Sequence, residues 1–211
     1  MNPLSDFRFL VAPSVPGAAS VVIDNAVLRV CREFCDKTHV WRYEHPAIVM
    51  VSGTSDYALT PPVGADVVWI NTATQGTHDV RPVGRDLYKK MNPARTTGSV
   101  AESLYMLDTA NMRVNPTPTG ATLDPIALDI VLRPTMTSTT VGAILFSEWA
   151  EAIAHGAMAH LMAEPGMNWT DPNTAAYHMS EYRYGIAEAK RRDNYGYASY
   201  NNTMQAAQSF L

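Results

Sequence analysis

The chain has 211 residues, 46% of them hydrophobic, and its 16 Lys and Arg against 20 Asp and Glu leave a formal charge of −4. That length and composition fit a globular body with a sizeable core and exclude an intrinsically disordered chain. The acidic balance excludes a duplex-coating role, which needs a basic surface to neutralise phosphates, and no apolar run of about 18 residues offers a membrane span.

Residues 1–19 carry Asp6 and Arg8 near the start and are broken by Pro13 and Pro16. They read as an irregular arm, without the basic-then-apolar order of a secretory signal, so synthesis and use in a cytoplasm are expected. A helix over 20–37 follows, with Ser20 as its N-cap and Ile23, Val27, Val30 and Phe34 recurring at helical spacing. Cys31 and Cys35 lie four apart on that helix, a separation that rarely meets disulfide geometry. With no CxxC present, two small buried thiols are the expectation. Just beyond, Trp41 is expected to pack over the end of the helical core and Arg42 to support a loop.

Between 47 and 133 the pattern changes to short β-like runs at 47–51, 67–74, 104–108 and 126–133. Turn-formers such as Ser52-Gly53, Pro61-Pro62 and Gly76 separate them, and a short helix is predicted over Arg85–Met91. In the last run Ile126, Leu128, Ile130 and Leu132 alternate with Ala127, Asp129, Val131 and Arg133, the pattern of a half-buried antiparallel strand.

After Pro134 the spacing is helical again. A helix over 139–163 would bury Phe146, Ala150, Ile153, Ala157 and Leu161, and Glu164-Pro165-Gly166 would stop it. Asp171-Pro172 then starts a helix over 172–192, with the acid as N-cap and proline in the first turn. Its buried stripe would be Ala175, Met179, Tyr182, Ile186 and Ala189, and the basic Lys190-Arg191-Arg192 at its end suits the helix dipole. The fold class is therefore α+β. N- and C-terminal helices pack as a small bundle, a central antiparallel β lobe projects from it, and 20–193 forms one body.

The final stretch, 194–211, has no charged side chain but holds three tyrosines and a phenylalanine. An uncharged aromatic segment of this kind reads either as a strap laid into a neighbour's groove or as a frayed terminus. Disordered tails are usually charged and poor in aromatics, which favours the strap.

Motifs for chemistry are missing. The chain has no GxGxxG, no GKS or GKT, no GxSxG, no HExxH and no zinc-knuckle spacing. What remains is Glu148, Glu151 and His155, whose spacings of three and four put them on one face of the 139–163 helix. The next helix offers His178 and Glu181 three apart. This set reads as a solvated face, as an intersubunit polar seam, or as a carboxylate metal site of a hydrolase.

Several stretches carry a family resemblance. Val27-Leu28-Arg29-Val30-Cys31-Arg32-Glu33-Phe34-Cys35-Asp36-Lys37-Thr38, running on to Trp41-Arg42, resembles the opening helix of tailed-phage head-to-tail adaptor (connector) proteins. The strand Leu128-Asp129-Ile130-Val131-Leu132-Arg133-Pro134 is similar to theirs. So are Trp149-Ala150-Glu151-Ala152-Ile153 and the run from His155 through Leu161 to Asp171-Pro172. The motifs occur in the right order from about Ser20 to Arg192.

The resemblance implies a structural virion component that is not an enzyme and needs no cofactor. It would form a ring of about twelve copies below the portal, close by repeated lateral contacts, and receive the tail nozzle or tail tube on its other face. Genomic DNA would pass through it without sequence-specific contact, and no membrane is involved. Assembly would take place in the bacterial host cytoplasm. Residues 194–211 would grip the portal, with Tyr195, Tyr197, Tyr200, Phe210 and Leu211 as anchors. Another neck or tail-completion protein is the alternative within the virion, and a metal-dependent hydrolase the alternative outside it.

Overall fold

The computed structural model describes residues 1–91 and 97–195. The chain opens with strand β1 (Asn2–Pro3), a 3-10 turn (Leu4–Phe7), the one-turn helix α1 (Arg8–Val11) and a second 3-10 turn (Ala12–Ser14). Helix α2 (Ser20–Thr38) leads to β2 (Arg42–Ile48), β3 (Asp56–Ala58), β4 (Ala65–Gln75), β5 (His78–Asp79) and β6 (Arg81–Pro82). Next come helix α3 (Arg85–Met91), β7 (Thr97–Gly98), β8 (Ser103–Met106), β9 (Asn111–Asn115), β10 (Thr117–Pro118) and β11 (Ile126–Pro134). Strand β12 (Thr140–Val141) precedes α4 (Ala143–Ser147), α5 (Ala150–Met162) and α6 (Pro172–Tyr195).

The class is mixed α+β, as expected, but the arm 1–19 is not loose. Leu4, Phe7, Val11 and Val15 are buried in the main core, and the Phe7 ring meets Phe146 edge-on at 5.2 Å. β1 pairs antiparallel with β12, the Leu4 amide donates to the Thr139 carbonyl at 3.0 Å, and Arg8 pairs with Asp24 of α2. The prolines do not prevent this, because Pro13 sits in the first turn of a 3-10 helix, where its missing N–H costs no bond.

Helix α2 buries the predicted Ile23, Val27, Val30 and Phe34, together with Leu28, Cys31 and Cys35. Ser20 is not its cap: Ala19 holds that position in an extended conformation, and no side chain bonds the first turn. At the other end His39 adopts φ 57°, the left-handed region, and its N–H closes the last turn on the Cys35 carbonyl.

Two four-stranded sheets form the β region, ordered β2-β11-β4-β5 and β3-β9-β8-β6. β11 is antiparallel to both of its neighbours and buries Ile126, Leu128, Ile130 and Leu132; α2 packs against it. The predicted 47–51 strand lies earlier, as β2. Strand β9 was not anticipated. It forms a hairpin with β8 around Asp108, whose carboxylate accepts from the Ala110 amide at 2.7 Å and from Asn111 at 3.0 Å. Gln75 ties the two halves of the lobe, its carbonyl accepting from the Ala101 amide at 2.7 Å and its amide donating to the Asp124 carbonyl at 3.1 Å.

The helix expected over 139–163 is broken. Thr140 and Val141 are taken by the pairing with β1, and Gly142 must be glycine because a Cβ there would lie 2.5 Å from the Trp41 indole. A second break falls at Trp149 (φ −123°, ψ 12°), whose indole is buried beside Phe34 at 5.6 Å. α5 then buries Ile153, Ala157 and Leu161, while α6 buries Ala175, Tyr182, Ile186 and Ala189. Asp171 caps α6 as predicted, accepting from the Thr174 hydroxyl at 2.6 Å and from the amides of Thr174 and Asn173 at 3.2 and 3.1 Å; the hydroxyl first, then the amides, lower its pKa. Helices α2, α5 and α6 pack on one another. No helix among the described residues is long and apolar enough to cross a membrane.

Candidate functional site

The end of α6 is where the body hands the chain to its uncharged terminal segment. Four charged side chains from three parts of the chain meet there. The Arg192 guanidinium lies 4.7 Å from the Trp149 ring centre and donates to Glu148 Oε2 at 2.7 Å. One residue on, Asp193 Oδ1 accepts from Arg42 Nη2 at 2.5 Å. Arg42 also comes within 3.9 Å of Asp129 Oδ2 in β11, a carboxylate that accepts from the Asn71 amide of β4 at 2.7 Å.

Each contact is modest. A partly exposed cation over an aromatic ring contributes about 0.5–1 kcal/mol, and an exposed ion pair about 0–1 kcal/mol. Their arrangement matters more than their size, because they fasten α6 both to the helical layer through Trp149 and to the sheet through Arg42. Beside them a cleft of about 440 Å³ is lined by the apolar Trp41, Ile144 and Trp149 together with the charged Arg42, Glu148 and Arg192. Trp41 is buried under Gly142, at the end of the helical core where it was expected. Arg42, expected to support a loop, instead holds the end of α6.

The predicted seam residues do not share one helical face. Glu148 precedes α5 and turns to Arg192. Glu151 is exposed in the first turn of α5. His155 turns to α6, its Nδ1 lying 2.7 Å from Nδ1 of His178. Burial lowers the His178 pKa, the neighbouring His155 lowers it further, and Glu181 opposes both. Among the described residues no three His, Cys, Asp or Glu side chains converge as a ligand set. Cys31 and Cys35 are buried and unbridged, and burial pushes both thiols up. Of the predicted anchors, Tyr197, Tyr200, Phe210 and Leu211 lie outside the described residues, and Tyr195 ends α6.

A protein-family model described as SU10 adaptor protein matches residues 7–205. The chain belongs to the SU10 adaptor protein family. This is a phage head-to-tail adaptor family, as the resemblance implied, and not an enzyme family. The match begins at Phe7, takes in the segment first read as an arm, and runs past the clamp around Arg192 into the uncharged terminal segment. The chain is thus a structural virion protein of the phage neck, whose family interacts with portal and tail components. No curated protein matches the chain.

Sequence reasoning missed the clamp itself. Lys190-Arg191-Arg192 was assigned to the helix dipole, whereas Arg192 has the specific partners Glu148 and Trp149. The available signal was the pair Glu148-Trp149 at a helix break, an acid and an indole side by side.

Proposed function

We propose that this SU10-family adaptor closes into a ring of about twelve copies that joins the portal to the tail nozzle or tail tube and lines the DNA exit channel. Residues 194–211 are its portal-gripping segment, with Tyr195, Tyr197, Tyr200, Phe210 and Leu211 as anchors. The observation that carries the reading is that α6 runs from the body to the clamped residues Arg192 and Asp193, directly before that uncharged, aromatic segment. Aromatic anchors bring large contact area at low entropic cost, and a fixed launch point lowers the cost further.

Around a ring the lateral contacts are heterologous, with one face of a subunit meeting a different face of the next. Of the three predicted seam residues, Glu148 and Glu151 are exposed, but Glu148 is engaged with Arg192 and the half-buried His155 with His178, which leaves Glu151 for such a contact. The test is native mass determination of the protein alone and mixed with a portal ring, with and without residues 194–211. Capture of about a dozen full-length copies, lost on deletion, is the expected result. Equal capture by both forms would remove the gripping role, and a monomer indifferent to the portal would remove the ring-forming reading.

A further inference from the structure

We propose that the His155–His178 pair is an acid-sensitive switch in the packing of α5 on α6, closed while the two rings hold at most one added proton and forced open when each holds its own. The two Nδ1 atoms face each other at 2.7 Å, with ring centres 4.9 Å apart and the rings tilted by 41°. Between neutral imidazoles that distance is a hydrogen bond, in which one Nδ1–H donates and the other Nδ1 accepts. One added proton leaves the bond in place and strengthens it, because the donor is then an imidazolium. A second added proton removes the acceptor. Two N–H bonds of about 1.0 Å aimed at each other across 2.7 Å would bring their hydrogens within about 0.7 Å. Flipping either ring gives no relief, since it puts a Cδ2–H where the Nδ1–H was. The rings must part, and the contact between α5 and α6 at this level is lost.

The surroundings offer little to hold two positive charges. His178 is buried and His155 half-buried, and Tyr177 lies against both, its ring centre 6.2 Å from His155 and 5.3 Å from His178. On α6, Glu181 favours a charged His178, but burial and then His155 outweigh it. On α5, Glu151 is exposed one turn before His155, and His160 lies 3.7 Å from Glu33. Helix α2 packs on both helices, yet its charges are engaged elsewhere: Arg32 with Asp66, Glu33 with Lys37 and His160, and Asp36 with Arg133, while Arg29 is exposed. Arg8 of α1 pairs with Asp24, and α4 carries no charged side chain.

The direction of the pH effect follows from which ring resists its proton. The His178 pKa is lowered in the folded protein, by burial first and by His155 second. Below the ordinary histidine value of 6.5 the unfolded chain therefore takes up a proton that the folded pair resists, and the native state loses stability as the pH falls through that value. The loss is local. It falls where α5 meets the first half of α6, so α6 loosens there while the buried face of α2 is kept.

The test uses untagged, full-length protein. Histidine ring resonances are followed by NMR as the pH is lowered from 8 to 5, and thermal midpoints are measured at pH 7 and pH 5. His155→Gln keeps a side chain that can bond His178 in either protonation state but takes no charge, and His78→Gln on the exposed β5 is the control. One ring of the pair should charge while the other stays neutral until the α5–α6 contact is lost. Between pH 7 and pH 5 the midpoint of the parent should fall about 2–4 °C further than that of His155→Gln, with His78→Gln falling like the parent. Equal falls in the parent and in folded His155→Gln overturn the proposal, as does an equal rescue by His78→Gln. Should His155→Gln not fold, the ring titration decides alone: both rings charging together while the amides of α5 and α6 stay protected from exchange overturns it. The switch stands apart from the adaptor reading, since portal capture and histidine titration are read in separate experiments.

Discussion

Gly185 lies where α6 crosses α5, and a Cβ added there would sit 2.5 Å from the Cβ of Ala152. Gly185→Ala therefore sets two effects against each other. Mid-helix, alanine gains about 1 kcal/mol over glycine from backbone propensity. The new methyl, however, meets another Cβ, which has no rotamer to turn away, so the helices must part at an overpacking cost near the upper end of about 1–3 kcal/mol. Packing wins, and the net loss is about 2 kcal/mol. At a slope of about 2 kcal/mol per molar, the urea midpoint falls by about 1 M without change in slope. Ala152→Gly alone loses about 1 kcal/mol through propensity. The double variant merely moves one methyl from α5 to α6, so it should lie within about 0.5 kcal/mol of the parent, about 3 kcal/mol short of additivity. The assay is urea unfolding followed by circular dichroism on all four proteins. If Gly185→Ala alone raised the midpoint, propensity would be the only effect present, and the close crossing of α5 and α6 would be refuted.

Gln75→Leu should cost about 2–3 kcal/mol in the same assay, because the Ala101 amide and the Asp124 carbonyl lose their buried partner. Cys31 and Cys35 should not react with a thiol reagent in the native protein, yet both should react in concentrated guanidinium chloride; fast native labelling of either would show that α2 is not buried there. The Asp56 pKa is lowered first by its hydrogen bonds to Arg113. Its folded pKa lies below its unfolded one, so its contribution is present above about pH 4 and lost as the pH falls through the folded value. Asp56→Asn should therefore show a smaller drop in urea midpoint between pH 7 and pH 3 than the parent; an equal drop would mean the pair contributes nothing.

Much of the fold was legible because long elements with one buried face announce themselves. The stripes of α2 and α6 fell where spacing put them, and β11 followed its alternation except at Val131, which is buried where the register shifts, since a half-buried helix or strand must repeat its apolar residues to stay buried. Failures came where contacts outweighed local pattern. Leu4, Phe7, Val11 and Val15 were hidden by the prolines among them, and only the finished core shows why they are apolar. The helix after Pro134 was drawn too long because helical spacing runs on through Trp149, where the indole leaves the periodic path to reach Phe34. β9 alternates too, but over five residues, three of them Asn or Arg, it reads as loop until paired with β8. The clamp was least legible. Arg42 and Asp193 are separated by 151 residues and Glu148 and Arg192 by 44, and no local pattern encodes such a meeting.

That distance in sequence bears on what the clamp does. A segment that grips a neighbour transmits load to whatever holds its root, and a root fixed only by the final turn of a helix would fray, because the last carbonyls of any helix lack intrahelical partners. In the proposed portal grip of residues 194–211 the load would divide. Through Arg192 it reaches Trp149, and through Trp149 the Phe34 ring of α2 in the helical layer. Through Asp193 it reaches Arg42 at the start of β2, then Asp129 of β11 and Asn71 of β4. No single link is worth much more than about 1 kcal/mol. Yet peeling the root away requires breaking the links of both layers together, since Arg192 and Asp193 are adjacent and cannot let go independently. Polar, partly exposed contacts also suit the proposed docking, because an apolar latch of equal strength would be an exposed sticky patch before a partner arrived. The weakness of each bond and the breadth of the attachment are thus the same design seen at two scales.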